Sequence, residues 1–493
     1  MRKMTTLLGT TVATLAPAVA LAQPCDPAEI FEPEVRYTAP GGPFSVGIGD
    51  LDGDGVGDVV TANLQSNTVS VLRNAGDGTL EPDVGYPVGD EPRSLAIGDL
   101  DGDGELDLVV ANRSSDDVSV LLNMGDGTFA AEARFAAGRF PTAVAIGDLN
   151  GDGDADLAVT NRDDNDVSVL LNNGDGTFAM GVGYAIGQSP RALAFADLDG
   201  DGDLDLVAAN YDLGTVSVLV GNGDGTFAPD VQFAVGDGPF SIAAGDLDGD
   251  GDADVAVVNE LGGDVSVLRN DGAGGLAAEA RYAAGSRPYA LAIGELNGDG
   301  SVDLVVANRS GNDVSVLLNE GDGVFATDVR YPVGLEPAAV ALGRLDGDAD
   351  GDLVVANFGE NSVGVLLNRC VTPPMITTQP APVVLLPAGG GVAELGIVAG
   401  GTQPLAYQWR RDGEPLADGG GVSGATTPTL TINATPEDVA LYDVVISNPA
   451  GSVTSDGAVI AVRQPCLADF DNDGSLTLFD FLAFSNAFDA GCP

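Results

Sequence analysis

The chain has 493 residues, a formal charge of −54 from 74 acids against 20 bases, and no histidine. Such a polyanion is a poor partner for nucleic acid or an anionic membrane surface and a good one for multivalent cations. The missing imidazole removes Ser-His-Asp triads, imidazole general bases and most zinc sites.

Taken from the N-terminus, residues 1–22 read as a cleaved secretory signal: Arg2 and Lys3, a modest apolar stretch, then Ala20-Leu21-Ala22 ahead of Gln23. No later stretch is apolar for long enough to suggest a membrane-spanning helix, so the mature protein is expected to be secreted or held at the cell surface. In an oxidising compartment the four cysteines suggest two disulfides, Cys25–Cys370 and Cys466–Cys492, because each pair brackets one module.

Residues 25–370 are dominated by repetition. The stretch "GDLDGDGELDLVVAN" recurs with its first acid at Asp50, Asp99, Asp148, Asp197, Asp246 and Glu295, and with Arg344 in that place in the seventh copy. A second marker, Asn63, Asn112, Asn161, Asn210, Asn259, Asn308 and Asn357, keeps the same interval of 49 residues. Each period holds four short β-like runs, in the second copy "PRSLAIGDL", "LDLVVAN", "DVSVLLN" and "AEARFAAG", with Gly-Asp-Gly turn chemistry between the third and fourth. Four strands per repeat of this length is the pattern of a propeller blade, and seven copies predict seven blades. The phase is displaced, however. "PEVRYTAPG" at residues 33–41 has the character of a fourth strand, whereas the seventh copy ends at "SVGVLLNRC" without one. The N-terminal strand is therefore expected to complete the last blade, close the ring and bring Cys25 to Cys370.

The acidic stretches follow D-x-D-x-D-G-x-x-D. Alternate side chains of a tight turn can converge on one point, glycine permits the bend, and hard carboxylate oxygens suit Ca²⁺. Two carboxylates about 4 Å apart repel by roughly 4 kcal/mol at an effective dielectric near 20, so such a loop calls for a cation. The candidate ligands are Asp50, Asp52, Asp54 and Asp58; Asp99, Asp101, Asp103 and Asp107; Asp148, Asn150, Asp152 and Asp156; Asp197, Asp199, Asp201 and Asp205; and Asp246, Asp248, Asp250 and Asp254. A sixth set, Glu295, Asn297, Asp299 and Asp303, is weakened by the longer first side chain. The seventh, "RLDGDADGD", has Arg344 first and Ala349 in the glycine's place, and is expected to be empty with the guanidinium standing in for a metal. A frame shifted onto Asp346, Asp348 and Asp350 is the alternative.

This combination of motif, phase and copy number resembles the FG-GAP repeats of integrin alpha-chain propellers and the related VCBS repeats of secreted bacterial proteins, over about residues 30–370. The resemblance implies a calcium-stiffened propeller used for adhesion or ligand binding, and it names no ligand.

Residues 373–463 lose the period. "PLAYQWRRDGEPL" and "PTLTINATPEDVALYDVVISNPAGSV" resemble an immunoglobulin-like β-sandwich, with Trp409 on a central strand and Asp438, Ala440 and Tyr442 at a tyrosine corner. That family's paired cysteines would fall at Val444 and near Leu395, implying a copy without the disulfide. In residues 466–493 a further acidic loop, Asp469, Asp471, Asp473, Thr477 and Asp480, precedes an apolar helix and resembles the EF-hand-like loop of a dockerin. Dockerins carry two such segments and this chain has one. The favoured reading is a surface-anchoring tail similar to the GC-type dockerin-like tails, with a plain folded cap as the alternative.

The fold class expected is thus all-β: a seven-bladed propeller, a sandwich and a short calcium-loop module. In a blade, the turns after the first and third strands share one face with the acidic loops. The opposite face carries the sequences that vary most between copies, among them Arg93, Arg113, Arg162, Arg191, Tyr211, Phe240, Tyr289 and Arg309, which form a candidate ligand surface. The acids are committed to equivalent loops and no loop is elaborated for chemistry. The chain therefore reads as a non-enzymatic, secreted calcium-binding protein for adhesion or ligand binding, with an extracellular protein or glycan as ligand and a surface partner for its tail. A propeller-based hydrolase or polysaccharide lyase is one alternative, and a structural cell-envelope component is another.

Overall fold

The computed structural model describes residues 25–462, apart from 26, 347, 349, 371–373, 387–389, 403, 436–439 and 449. The expected signal, Asp438, the Cys466–Cys492 pair and the acidic loop of the tail lie outside the described residues.

Short β-branched and apolar runs of four to seven residues, set between Gly-, Asp- and Asn-rich turns, form strands throughout the ring. In the second repeat these are Pro92–Gly98, Asp107–Asn112, Asp117–Leu121 and Ala133–Ala136, joined as one antiparallel four-stranded sheet. Every residue of Asp107–Asn112 is buried, whereas Ala133–Ala136 is largely exposed. A continuous apolar strand of this kind needs cover on both faces, and neighbouring sheets supply it. Six sheets, beginning at Pro43, Pro92, Pro141, Pro190, Pro239 and Pro288, repeat this order without a crossover. We number them I to VI.

The seventh, sheet VII, is assembled from both ends of the repeat region. Pro337–Gly343, Asp352–Asn357 and Ser362–Leu366 are joined by Val35–Thr38, in register from Val35 opposite Val365 to Thr38 opposite Ser362. The displaced phase in the sequence is thereby explained, and the expected strand exchange is borne out. The first strands of consecutive sheets lie against one another all the way round, and Pro337–Gly343 meets Pro43–Gly49 to close a propeller-like ring. The first strands therefore line the axis. A disulfide joins Cys25 to Cys370, 345 residues apart, beside the bridge between Phe31 and Asn368.

The sheets are stitched by a repeated buried amide. Asn123 Nδ2 donates to the Leu106 carbonyl of its own sheet at 3.0 Å and to the Leu51 carbonyl of sheet I at 2.8 Å. Asn172, Asn270, Asn319 and Asn368 reach back to Leu100, Leu198, Leu247 and Leu296 in the same way, and Asn74 closes the circle on Leu345. Sheet IV has Gly221 at this place; there the Leu149 carbonyl accepts from the Gly225 amide alone among the described residues. Edge-to-face rings add to the seams: Tyr86 on Phe129 at 5.4 Å, with Phe135–Phe178, Tyr184–Phe227 and Tyr282–Phe325 repeating the pair.

Beyond Cys370 the two larger of three further sheets enclose a separate core. One contains Ala406–Arg411 and Ala440–Asn448, the other Gly391–Gly396 and Thr429–Ala434. Trp409 is fully buried among Leu395, Leu430, Tyr442 and Val444, and its indole N–H donates to the Thr427 carbonyl at 2.9 Å. No described helix is long and apolar enough to cross a membrane.

The stitching amide gives a direct test of the ring. Asn319→Ala leaves two buried carbonyls without their donor, and is expected to cost about 1–3 kcal/mol in urea unfolding. An exposed control, Asn222→Ala, is expected to change stability by less than about 0.5 kcal/mol.

Candidate functional site

Each acidic loop leaves the end of a first strand. In sheet II the Asp99 carboxylate accepts the Gly102 and Gly104 amides at 2.8 and 3.0 Å. Those glycines have φ of 75° and 93°, a left-handed conformation that side chains resist, which is why the motif needs glycine there. Asp50, Asp148, Asp197 and Asp246 wrap their loops in the same way.

Carboxylate oxygens gather within 4.8 Å of one another at four of the loops: Asp50, Asp52 and Asp54; Asp99, Asp101 and Asp107; Asp197, Asp199 and Asp205; and Asp246, Asp248 and Asp250. These clusters can hold a metal ion, and their all-oxygen donor sets fit a hard cation. In the third loop Asn150 replaces one acid and donates to Asp152 at 2.9 Å. In the sixth, Asn297 donates to Asp299 at 3.0 Å while Glu295 accepts the Asn297 and Gly298 amides. Arg73 and Arg269 lie 3.9 and 3.8 Å from Asp52 and Asp248 and partly offset the charge.

The ninth position of the motif has a second duty. Asp107 is 1% exposed and accepts two backbone amides, Leu100 from the acidic loop at 2.9 Å and Asn123 from the hairpin after the third strand at 2.7 Å. Asp58, Asp156, Asp205, Asp254 and Asp303 do the same in their sheets. So does Asp352 of the seventh repeat, with Leu345 and Asn368. Asp352 escaped the sequence reading because Arg344 marked its loop as degenerate. The signal was its place 49 residues after Asp303. Arg344 itself acts only at longer range: among the described residues no carboxylate lies within 4.0 Å of it, though its charge opposes the upward shift at Asp348. Asp350 accepts instead from the Thr402 hydroxyl at 3.1 Å.

Burial dominates the protonation of these bases. It pushes Asp58 and Asp107 up to about 6 and Asp303 and Asp352 up to about 7, with the amide donors pulling back and neighbouring carboxylates adding to the rise. Asp156, Asp205 and Asp254 shift in the same direction for the same reason.

At the other end of the first strands, the residue after each proline sits at a register shift. The side chains there converge across the axis. Arg93 of sheet II lies 4.7 Å from the ring centre of Phe44 in sheet I and 5.5 Å from that of Phe240 in sheet V. Arg191 stacks on Tyr211 at 4.8 Å, and Arg309 on Tyr289 at 4.8 Å and Phe358 at 5.1 Å. Arg113 and Arg162 share the ring of Phe140 at 4.1 and 5.0 Å. Phe140 has a φ of 62°, held by the Asp116 carboxylate accepting its amide at 2.8 Å. All eight residues of the candidate ligand surface thus belong to this end of the ring. Phe44, Phe140 and Phe358 were missing from it, although Phe44 shares the post-proline position. Burial lowers the guanidinium of Arg93, and lowers that of Arg191 to about 10 with help from Arg93 and Arg162.

Six overlapping stretches, residues 50–110, 99–159, 148–208, 197–257, 246–306 and 295–355, match the FG-GAP-like repeat. No curated protein matches the chain. Among solved structures, the periplasmic gluconolactonase of Pseudomonas aeruginosa is 18% identical, over 59% of this chain and 86% of that one, with a TM-score of 0.46. A functionally unknown protein of Desulfotomaculum acetoxidans is 13% identical over 62% and 94%, with a TM-score of 0.47. The titin M3 domain is 27% identical over 19% and 98%, with a TM-score of 0.17.

The buried bases carry a pH signature. An acid whose pKa is raised on folding binds more protons folded than unfolded, so its contribution to stability is present at low pH and is lost as pH rises through the folded value. In chelator, the melting temperature is expected to fall between about pH 4 and 7. A cation that holds the same carboxylates ionised reverses the sign, so in excess metal the slope over that window should be flat or rising. Melting curves at matched ionic strength measure both.

Proposed function

The chain belongs to the FG-GAP-like repeat family, and from that premise we propose that it is a secreted, calcium-binding recognition protein without catalytic activity. In this reading the ring is a seven-bladed propeller, residues 373–463 form an immunoglobulin-like domain, and residues 466–493 form a dockerin-like anchoring tail. The gathering of loop carboxylates at one end of the ring carries the proposal. Four to six equivalent all-oxygen loops suit Ca²⁺ in its extracellular range, where such sites bind at about 10⁻⁴–10⁻³ M. Equivalence argues for a structural role for the ions, since catalysis needs one asymmetric constellation with a matched base. A disulfide between Cys25 and Cys370 supports an oxidising compartment. Trp409 between two sheets, with Leu395 and Val444 buried where an inter-sheet disulfide would sit, supports the immunoglobulin-like reading.

A calcium titration read by melting temperature tests the metal. Each site that binds only the folded chain adds about 1.4 kcal/mol at ten times its dissociation constant, so several such sites together should let millimolar Ca²⁺ raise the melting temperature and EDTA should undo the rise. Identical melting in calcium and EDTA, with no metal seen by native mass spectrometry, would overturn it. Asp50→Asn together with Asp52→Asn is expected to lower the bound calcium by one ion per chain.

A further inference from the structure

We propose that the arginine-aromatic end of the ring is a binding site for a compact oxyanion, a carboxylate or sulfate carried on a single sugar ring. This deepens the reading of the ring as a recognition platform and rests on it.

The chain has 74 acids, and many of its arginines pair with them. Away from this end Arg410 meets Asp443 through two donors at 2.7 and 2.8 Å and Arg330 meets Asp328 at 2.8 Å; at this end Arg287, beside Pro288, meets Glu260 at 2.5 Å, and Glu260 also pairs with Tyr211. The arginines stacked on rings at this end break the pattern. Among the described residues, Arg93, Arg162 and Arg191 have no carboxylate within 4.0 Å, although Arg93 is only 8% exposed. Arg113 and Arg309 have one each, Glu91 at 3.5 Å and Glu336 at 3.2 Å. The Nε atoms of Arg113, Arg162 and Arg191 are buried and have no hydrogen-bond partner. Rings, in place of acids, hold these cations. Stacking on an aromatic face uses the flat side of a guanidinium and leaves in-plane N–H donors available; Arg93 spends one on Tyr289 and Arg309 one on Glu336, whereas the Nε donors of Arg113, Arg162 and Arg191 are unspent. Those edges are the fork that binds a carboxylate or sulfate through two hydrogen bonds. Burying a charge without a counterion is costly, and a ligand that brings the counterion removes the cost.

Ring edges around the donors set the size and shape. Tyr211, Phe240, Phe140 and Phe358 are only partly buried, and offer apolar edges to the C–H face of a pyranose. The net charge of −54 acts against a long polyanion and leaves a short, singly charged group as the better guest. The acidic loops do not interfere, because they leave the far ends of the same seven-residue first strands, roughly 20 Å away at about 3.3 Å per residue.

Isothermal titration of the full chain in saturating calcium, with D-glucuronate, glucose 6-sulfate and D-glucose as probes, tests the site. At least one charged sugar is expected to bind tenfold or more tightly than glucose, and to weaken as NaCl is raised. Whichever charged probe binds more tightly identifies the oxyanion. Arg191→Gln and, at a more peripheral position, Arg162→Gln are each expected to weaken that binding tenfold or more while keeping the wild-type calcium-induced rise in melting temperature. No preference for charged over neutral sugar, or undiminished binding by both variants, overturns the anion site and leaves the calcium-stiffened platform standing. A wild-type chain indifferent to calcium takes down the platform reading instead.

Discussion

In every sheet of the ring one buried carboxylate receives two backbone amides, one from the acidic loop and one from the hairpin that follows the third strand. Asp107 and its counterparts thereby fix the loop to the sheet. The neighbouring asparagine, Asn123 in sheet II, carries the same tie across the seam to the preceding sheet. Because a carboxylate in this setting is costly when ionised and uncompensated, the design has two ways to settle: a proton on the acid, or a cation among the loop oxygens above it. Stability and pH are therefore linked through the same seven side chains, and four of the loops above them can hold a metal ion.

The ring is polarised by this arrangement. Acids gather where first strands end, and arginines stacked on aromatic rings gather where first strands begin. Either end would be unstable if its charges were simply crowded together. One end is ordered by backbone amides wrapping Asp99 and its equivalents, the other by rings that separate the guanidinium groups. The two solutions are chemically independent, so a change at one end should leave the other intact.

Closure depends on residues far apart in the chain. Val35–Thr38 covers what would be an open edge along Ser362–Leu366, and the disulfide holds that strand beside its partner. An uncovered edge of this sort invites pairing with another chain. Departures from the repeat fall where the ring tolerates them: Gly221 removes one stitch of the circle, and Arg344 removes one wrapping acid while Asp352 beneath it keeps both of its amides.

Much of this was legible in residue order. A 49-residue interval, two markers and the apolar runs between them determine the strands, their number per sheet and the displaced phase, because strand pairing within a sheet is local and follows alternation and turn chemistry. Asp50 and its equivalents were legible as loop acids for the same local reason. The second duty of Asp107, the role of Asp352 and the stacking of Arg93 on Phe240 were not. The 49-residue interval marked the place of Asp352 but not the two amides it accepts, and the contact of Arg93 with Phe240 joins sheets on opposite sides of the axis, which no spacing in the sequence encodes. Only closure of the ring decides which side chains face each other over that axis, since closure sets the distances between first strands that are neighbours in space and remote along the chain.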